Sequence, residues 1–157
     1  MTRDFRDESE AQMFIGFALR TRGTVYFRKR IPGAGLPDID ILLEAGELIG
    51  YEVKYFPARE SLKAHEGVGE TLAILLYGLD KAYLVHVFDS GLGNKYQEAV
   101  AQTAKLVSLL PIGYLYCIGR AELKTVKEPE TNPFLNDPRV KGIRERLLQA
   151  LSGQSSS

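Results

Sequence analysis

A continuous apolar run at residues 82–88, AYLVHVF, constrains the fold more than any other part of the sequence. Apolar residues that do not alternate with polar ones are typical of a strand buried on both faces, as in parallel sheets covered by helices. Longer segments with helical patterning lie on both sides of it, at residues 62–79 and 94–110. The chain therefore predicts an α/β fold in which helices cover one sheet.

The other elements are predicted from periodicity and from turn residues. Two strand-like runs surround a short turn at residues 44–47, which indicates a hairpin. The loop at residues 31–37 is marked by two prolines and two glycines. In chain order the sequence predicts helix 7–22, strands 24–27, 38–43 and 48–55, helix 62–79, strand 82–88, helix 94–110, strand 114–118 and helix 139–151.

Length and composition indicate one globular domain. The chain has 157 residues, of which 45% are apolar and 25% charged, so wholesale disorder is excluded. We expect a core domain over residues 1–126 and a C-terminal arm and helix over residues 127–157 packed on it, with a disordered Ser-rich end. The single cysteine, Cys117, excludes a disulfide framework and a Cys-rich zinc site.

Charge and hydropathy indicate the cellular compartment of the protein. The N-terminal residues 1–13 are charged and lack the apolar core of a signal peptide. The most apolar run, residues 68–79, is too short to span a bilayer. We therefore expect a cytoplasmic protein without a membrane partner. Twenty Lys plus Arg balance twenty Asp plus Glu, so a nucleic-acid partner would need a local basic patch.

The predicted hairpin carries the candidate chemistry. Alternate side chains of a strand share a face, so Glu52 and Lys54 point the same way. If the register of the hairpin is even, Asp38 and Asp40 join that face, and a one-residue slip would remove them. Carboxylates beside a lysine suit a divalent cation with oxygen ligands, Mg²⁺ or alternatively Mn²⁺. Such an ion can activate a water and neutralise charge on a reacting phosphate.

The same residues resemble a known family. Pro37-Asp38, fourteen residues before Glu52-Val53-Lys54 on a hairpin, resembles the PD-(D/E)xK nuclease superfamily. Within it, the chain is most similar to small archaeal Holliday-junction resolvases and related archaeal or viral nucleases, over residues 7–88. The resemblance implies a restriction-endonuclease-like fold, a mixed sheet flanked by helices with an αβββαβ core.

The resemblance also implies roles for individual residues. Asp38 and Glu52 would be catalytic metal ligands, the Val53 carbonyl a further ligand, and Lys54 the group that positions the attacking water. Asp40 is either a second carboxylate of the site or simply the next outward-facing residue, and we favour the latter.

Three glutamates outside the hairpin enter the same comparison. The first-helix glutamate of the family falls on Glu10, as a catalytic residue that assists at the metal, with Glu8 as the competing choice. On the following helix the family often has a glutamine or another polar residue, where this chain has Glu70. The role of Glu70 is left open by this difference.

A basic cluster directly precedes the hairpin. It contains no acidic residue and is the strongest local charge bias in the chain. We expect it to contact DNA phosphates, although basic residues on an edge strand also prevent sheet-to-sheet pairing. The cluster consists of Arg20, Arg22, Arg28, Lys29 and Arg30.

These patterns together favour a Mg²⁺-dependent DNA endonuclease that hydrolyses phosphodiester bonds. The sequence leaves the form of its DNA substrate open: a four-way junction or other branched DNA such as a flap, a duplex of specific sequence, or a single strand. Cleavage of a junction would favour a homodimer that presents two sites. The alternatives are a catalytically silent DNA-binding module and a protein-interaction module on the same fold. Salt-sensitive DNA affinity separates the last alternative from the other two.

Overall fold

One six-stranded mixed sheet organises the molecule, in a computed structural model that describes residues 3–58 and 62–155. The apolar run predicted at residues 82–88 is a strand of this sheet, buried along almost its whole length. The α/β class, with helices flanking a mixed sheet, is therefore confirmed. The elements are α1 (Glu8–Leu19), β1 (Thr24–Lys29), β2 (Ile39–Glu44), β3 (Leu48–Phe56), α2 (Val68–Ile74), β4 (Lys81–Phe88), α3 (Tyr96–Val107), β5 (Gly113–Ile118), β6 (Lys124–Lys127) and α4 (Pro138–Ser155).

The strands lie in the sheet in the same order as in the chain, β1-β2-β3-β4-β5-β6. The first three form an antiparallel meander, and β3, β4 and β5 are parallel. The parallel connections run through α2 and α3, as parallel strands require a crossover. The order α1-β1-β2-β3-α2-β4 follows the αβββαβ succession expected from the sequence.

Two apolar layers cover the sheet. On one face α1 contributes Ala11, Ile15 and Leu19 to a core with side chains of β2, β3 and β4. On the other face, α2, α3 and α4 pack over a core that includes Ile74, Val107 and other buried aliphatic and aromatic residues. Because both faces of β4 are covered, its side chains do not alternate between apolar and polar, and the sequence pattern is explained.

The helix predicted over residues 62–79 is shorter in the structure. Residues 62–67 are not helical, α2 begins at Val68, and a 3-10 turn follows at Leu75–Tyr77. Gly67 has a left-handed φ of 89°, so the backbone turns sharply at the residue before the helix. The predicted continuous helix was wrong at its first six positions for this reason.

The C-terminal half differs from the predictions in smaller ways. A 3-10 segment, Ser90–Lys95, precedes α3, so the helix predicted over residues 94–110 begins instead at Tyr96. The short strand β6 was not predicted because it is largely exposed and lacks apolar alternation. Helix α4 extends to Ser155, beyond the predicted end at 151, and residues 156–157 of the Ser-rich end lie outside the described residues.

Among the helices of the described residues, none has the length and apolar character needed to cross a bilayer.

Candidate functional site

The site forms where β2 separates from β3. In the antiparallel pair Ile41 lies opposite Tyr51, so the next position places Asp40 opposite Glu52. This is the even register expected from the sequence, and it places Asp40 and Glu52 on the same face. The strand-like segment predicted from residue 38 begins instead at Ile39.

Two carboxylates take over as hydrogen-bond acceptors for β3 beyond that point. Asp40 Oδ2 accepts a hydrogen bond from the Val53 backbone nitrogen at 2.8 Å. Glu8 Oε2, in the first turn of α1, accepts one from the Tyr55 nitrogen at 3.2 Å. Both backbone donors would otherwise lack the acceptor that a continued β2 would provide. The two acids are thereby held against the edge of β3.

Glu52 is the most deeply buried acid of the site, with 4% of its surface exposed. Its Oε1 lies 3.4 Å from Lys54 Nζ. Its Oε2 has no hydrogen-bond partner within residues 3–58 and 62–155. Burial, and next the negative charge of Asp40, raise the pKa of Glu52 far above its ordinary value. A second cation beside this carboxyl would relieve both the burial and the repulsion.

Lys54 lies between Glu52 of β3 and Glu70 of α2 and forms an ion pair with each. Its Nζ lies 2.7 Å from Oε2 of Glu70, which is in the first turn of α2. Burial lowers the pKa of Lys54, but the hydrogen bond with Glu70 and the charges of Glu52 and Glu8 outweigh burial and raise it above its ordinary value. The ammonium group therefore keeps its proton.

Burial also raises the pKa of Glu8 and of Asp40, although each accepts a backbone hydrogen bond that acts in the opposite direction. Four carboxylates thus surround one ammonium group. We refer to this set as the acidic cluster: Glu8, Asp40, Glu52 and Glu70.

The structure places two predicted acids elsewhere. Asp38 is exposed and lies just before β2, next to Pro37, whose carbonyl accepts a 2.8 Å hydrogen bond from the Tyr77 hydroxyl. Glu10 forms ion pairs with Arg6 at 2.7 Å and with Arg120 at 3.0 Å. The structure therefore brings Glu8, the competing choice, to Lys54, and it brings Asp40 to Glu52.

Sequence reasoning gave too little weight to Asp40 and left the role of Glu70 open. For both residues, the sequence contained an indication of where the side chain would lie. Asp40 shares the face of Asp38 because strand periodicity is two. Glu70 is an acid in the first turn of a helix, three residues after Gly67. The missing information was where β2 leaves β3 and where α2 begins.

The Val53 carbonyl lies on the same edge of β3 as this cluster. In an antiparallel ladder, the N–H and the C=O of one residue point to the same side of the strand. Since the Val53 N–H points to Asp40, the Val53 carbonyl faces that side as well.

The basic residues divide into two groups. Strand β1 begins opposite Glu44, at the hairpin turn, and ends with Lys29 opposite Ile39, at the site. Arg28, Lys29 and Arg30 are therefore at the site end of the strand, and Arg20 and Arg22 precede its other end.

Arg28 has an unusual backbone at that position. Its φ is 53°, and it is the only non-glycine residue with positive φ among those described. The register of β1 and β2 sets it opposite Asp40, where the pairing is interrupted. Its guanidinium donates a hydrogen bond to the Ser9 hydroxyl, next to Glu8. A side chain this close to the acidic cluster can reach a bound anion there.

The residues of the site fit a divalent cation. A buried carboxylate oxygen without a partner, beside a second carboxylate with a raised pKa, is the environment that such a cation would stabilise. In the part of the chain that the structure describes, no group of three or more His, Cys, Asp or Glu is arranged to hold a metal ion by itself. Mg²⁺ is commonly held by one or two carboxylates, with waters and substrate phosphate as its other ligands.

Comparison with known proteins gives a fold and no family. No protein-family model matches the chain, and no curated protein matches it. Among solved structures, the SPO1766 protein of unknown function from Silicibacter pomeroyi is similar with a TM-score of 0.51 and 16% identity, over 92% of this chain and 84% of that one. SfsA of Pyrococcus furiosus, in complex with Ca²⁺, gives a TM-score of 0.33 and 18% identity over 75% of this chain and 60% of that one. The first similarity shows a shared overall fold, and neither similarity assigns an activity.

Proposed function

We propose that the protein is a metal-dependent DNA endonuclease of the PD-(D/E)xK type, with a restriction-endonuclease-like fold and its active site at the acidic cluster. The observation that carries the proposal is the buried Glu52 carboxyl, which has one oxygen near Lys54 and the other without a partner in the described structure. A surface ion pair would not bury an acid in this way, because the desolvation of a charge is costly. A site built to receive a cation accounts for it.

Asp40 and Glu52 would hold the cation, and the Val53 carbonyl on the same strand edge is a third oxygen available to it. Bound there, Mg²⁺ or Mn²⁺ would act as a Lewis acid that polarises a phosphate and favours deprotonation of water. Asp40 takes the place that the sequence pattern gave to Asp38, because Asp40 is the acid next to Glu52.

Lys54 contributes positive charge in this mechanism. Because its ion pairs with Glu70 and Glu52 stabilise the charged form, we do not assign it as the base that removes a proton from water. Its ammonium group instead donates to a phosphate oxygen, on which negative charge grows in the transition state. Water forms the new bond to phosphorus as the bond to the leaving sugar oxygen breaks. The water loses one proton and the leaving oxygen gains one.

Glu8 and the basic end of β1 complete the arrangement. Glu8 stabilises the strand edge that presents Val53 and Lys54, through its bond to Tyr55. Arg28, Lys29 and Arg30 would contact phosphates beside the scissile one, which positions the DNA without reading its sequence.

The proposal is tested by cleavage of labelled DNA in four forms: a four-way junction, a flap, a linear duplex and a single strand. Each form is incubated with Mg²⁺, with Mn²⁺ and with chelator, with Lys54→Ala protein beside the wild type. We expect metal-dependent cutting that the variant loses. Salt-sensitive binding without cutting would instead assign a silent DNA-binding module. The absence of both binding and cutting would refute a role on DNA.

Metal binding is measured separately by titrating Mn²⁺ into the protein without DNA and following the heat. Wild-type protein is expected to bind, and Glu52→Gln is expected to lose most of the affinity because an amide supplies no charge. Glu10→Gln is the matched control, since Glu10 is engaged by Arg6 and Arg120. Equal Mn²⁺ affinities of the wild type and Glu52→Gln would show that the metal does not bind at Glu52.

A further inference from the structure

A buried polar group of three side chains lies beneath the acidic cluster. His86, Thr103 and Tyr114 each have 0% of their surface exposed, in strands β4 and β5 and helix α3. Polar groups inside an apolar core are costly unless they are hydrogen-bonded, and such networks fix one arrangement of the parts that they join. The hydrogen bonds of these three side chains show which segments of the chain the group connects.

His86 is bonded through both ring nitrogens. Its Nε2 lies 2.8 Å from the Glu66 carbonyl oxygen, and its Nδ1 lies 2.9 Å from the Tyr114 hydroxyl. A carbonyl oxygen only accepts, so Nε2 carries the proton. Burial keeps the ring neutral, so Nδ1 accepts from Tyr114. The tautomer is thereby fixed, with its donor directed at the backbone of residue 66.

Thr103 holds the same loop from α3. Its hydroxyl lies 2.7 Å from the Ala64 carbonyl oxygen and 2.7 Å from the Ala99 carbonyl oxygen in its own helix. Two carbonyls of the segment before α2, those of Ala64 and Glu66, are thus each within hydrogen-bonding distance of a buried side chain, Thr103 and His86 respectively.

The anchored segment leads directly into the site. Gly67 follows Glu66, and a Cβ added to it would lie 3.0 Å from Lys54 Cγ, so the backbone there packs on the lysine stem. Thr71 donates from its hydroxyl and from its backbone nitrogen to the Gly67 carbonyl, at 2.7 and 2.9 Å. Three residues after Gly67, Glu70 reaches Lys54.

We infer that His86 is a positioning residue for Lys54. By fixing the Glu66 carbonyl, with Tyr114 and Thr103 as its support, His86 sets the start of α2 and thereby the place from which Glu70 holds the lysine ammonium. His86 also lies opposite Lys54 in the parallel pair of β3 and β4, so it supports the lysine from the neighbouring strand. The catalytic consequence rests on the proposed nuclease function, whereas the geometric claim about Lys54 does not.

The experiment compares His86→Leu with His86→Gln in the full chain. Leucine cannot donate to the Glu66 carbonyl, and the glutamine amide can. The readout is the ¹H–¹⁵N signal of the Lys54 side-chain ammonium, assigned by its loss in Lys54→Ala, with Glu70→Gln as the reference for a broken pair. We expect the signal in His86→Leu to move toward that reference, and the signal in His86→Gln to stay near wild type.

Kinetics supply the second readout. For His86→Leu we expect kcat on the preferred DNA to fall by about 10- to 100-fold, because a small displacement of a catalytic group has effects of that size. KM should stay close to the wild-type value, since the DNA contacts are untouched, and His86→Gln should recover most of the rate.

A second pair of variants serves if His86→Leu does not fold. Tyr114→Phe removes only the hydroxyl that orients His86, and it should shift the Lys54 signal in the same direction by a smaller amount. Tyr83→Phe is its matched control, because Tyr83 is a similarly buried tyrosine of β4 whose hydroxyl bonds to Glu128.

An unchanged Lys54 signal in His86→Leu, or in Tyr114→Phe when the first variant is unfolded, would overturn the inference. If wild-type protein cuts no DNA, the proposed function fails, and the Lys54 signal still decides whether His86 positions the lysine.

Discussion

Asp40 accepts a hydrogen bond from the Val53 nitrogen at 2.8 Å, at the point where the pairing of β2 with β3 stops. This contact joins the two strands by a side chain where the backbone no longer does. It also holds the carboxylate beside Glu52, so that the site and the end of the ladder are one structural feature. Asp38, two residues earlier, is exposed and lies just before the strand begins.

The first prediction separates these two aspartates. Asp40→Asn should abolish DNA cleavage, because asparagine keeps an acceptor for Val53 but cannot supply the negative charge that holds a cation. Asp38→Asn should retain activity within a fewfold of the wild type. Initial rates on the preferred DNA measure both, with circular dichroism to confirm folding. Loss of cleavage in Asp38→Asn alone would return the ligand role to the position predicted from sequence.

Glu8 and Glu10, which both lie in the first turn of α1, provide a second comparison. Glu8→Gln should reduce kcat, because it removes a negative charge that acts on Lys54 and weakens the bond to Tyr55. Glu10→Gln should leave kcat near the wild-type value and lose only the exposed pairs with Arg6 and Arg120. The same cleavage assay decides between them, and a larger loss in Glu10→Gln would contradict the assignment.

The glycines at the start of α2 should respond in opposite directions. Gly67→Ala places a Cβ at a φ of 89° and 2.7 Å from Leu84 Cδ1, so it should destabilise the fold by about 1–2 kcal/mol and disturb Lys54. Gly69→Ala meets no atom within 4 Å and should stabilise the helix by about 0.5–1 kcal/mol. Urea denaturation measures both, and equal midpoints for the two variants would be inconsistent with this geometry.

His86 should make stability depend on pH. Burial lowers the pKa of His86 from 6.5 to about 4, so between these values the unfolded chain takes up a proton that the folded chain does not. The stabilising effect of the neutral ring is complete above pH 6.5 and decreases as pH falls toward 4, by about 3 kcal/mol in total. Chemical denaturation across this range should show a flatter profile for His86→Gln than for the wild type. His65→Gln, at an exposed position, is the control that should keep the wild-type profile.

The basic residues at the two ends of β1 should differ in salt dependence. Each phosphate contact adds about one to the slope of log affinity against log salt. Replacing both Arg28 and Arg30 by alanine should therefore lower the slope by about two. The matched double variant, with Arg20 and Arg22 replaced, should change it little, since those residues precede the other end of the strand. Fluorescence anisotropy at several salt concentrations measures the slopes, and equal changes would assign both groups to the DNA surface.

The sequence was sufficient for the parts of the fold set by local pattern. The uniform apolar character of β4 predicts a covered parallel strand, and the two-residue period of the hairpin predicts which residues share a face with Glu52. These are properties of neighbouring residues, so they are visible without the tertiary structure.

The sequence was insufficient where distant segments decide the outcome. Asp38 and Asp40 have the same periodicity, and only the divergence of β2 from β3 selects between them. Residues 62–67 have a composition compatible with a helix, but their carbonyls are bonded to His86 and Thr103, which lie 20 and 39 residues from their partners. Partners at such separations follow from packing and are not encoded in any local pattern.

Asp40 and Glu8 each have two roles, one in the fold and one in the proposed site, and this affects which substitutions the site would tolerate during evolution. Each carboxylate satisfies a backbone donor of β3, so a substitution that removed it would weaken the sheet as well as the chemistry. Among the contacts of residues 3–58 and 62–155, the Lys54 ammonium group pairs with the Glu52 and Glu70 side chains and with no backbone group. A lineage released from selection for cleavage would therefore remain under selection for folding at both acids, and at Lys54 as well, because loss of the ammonium group would leave Glu52 buried without a cation beside it.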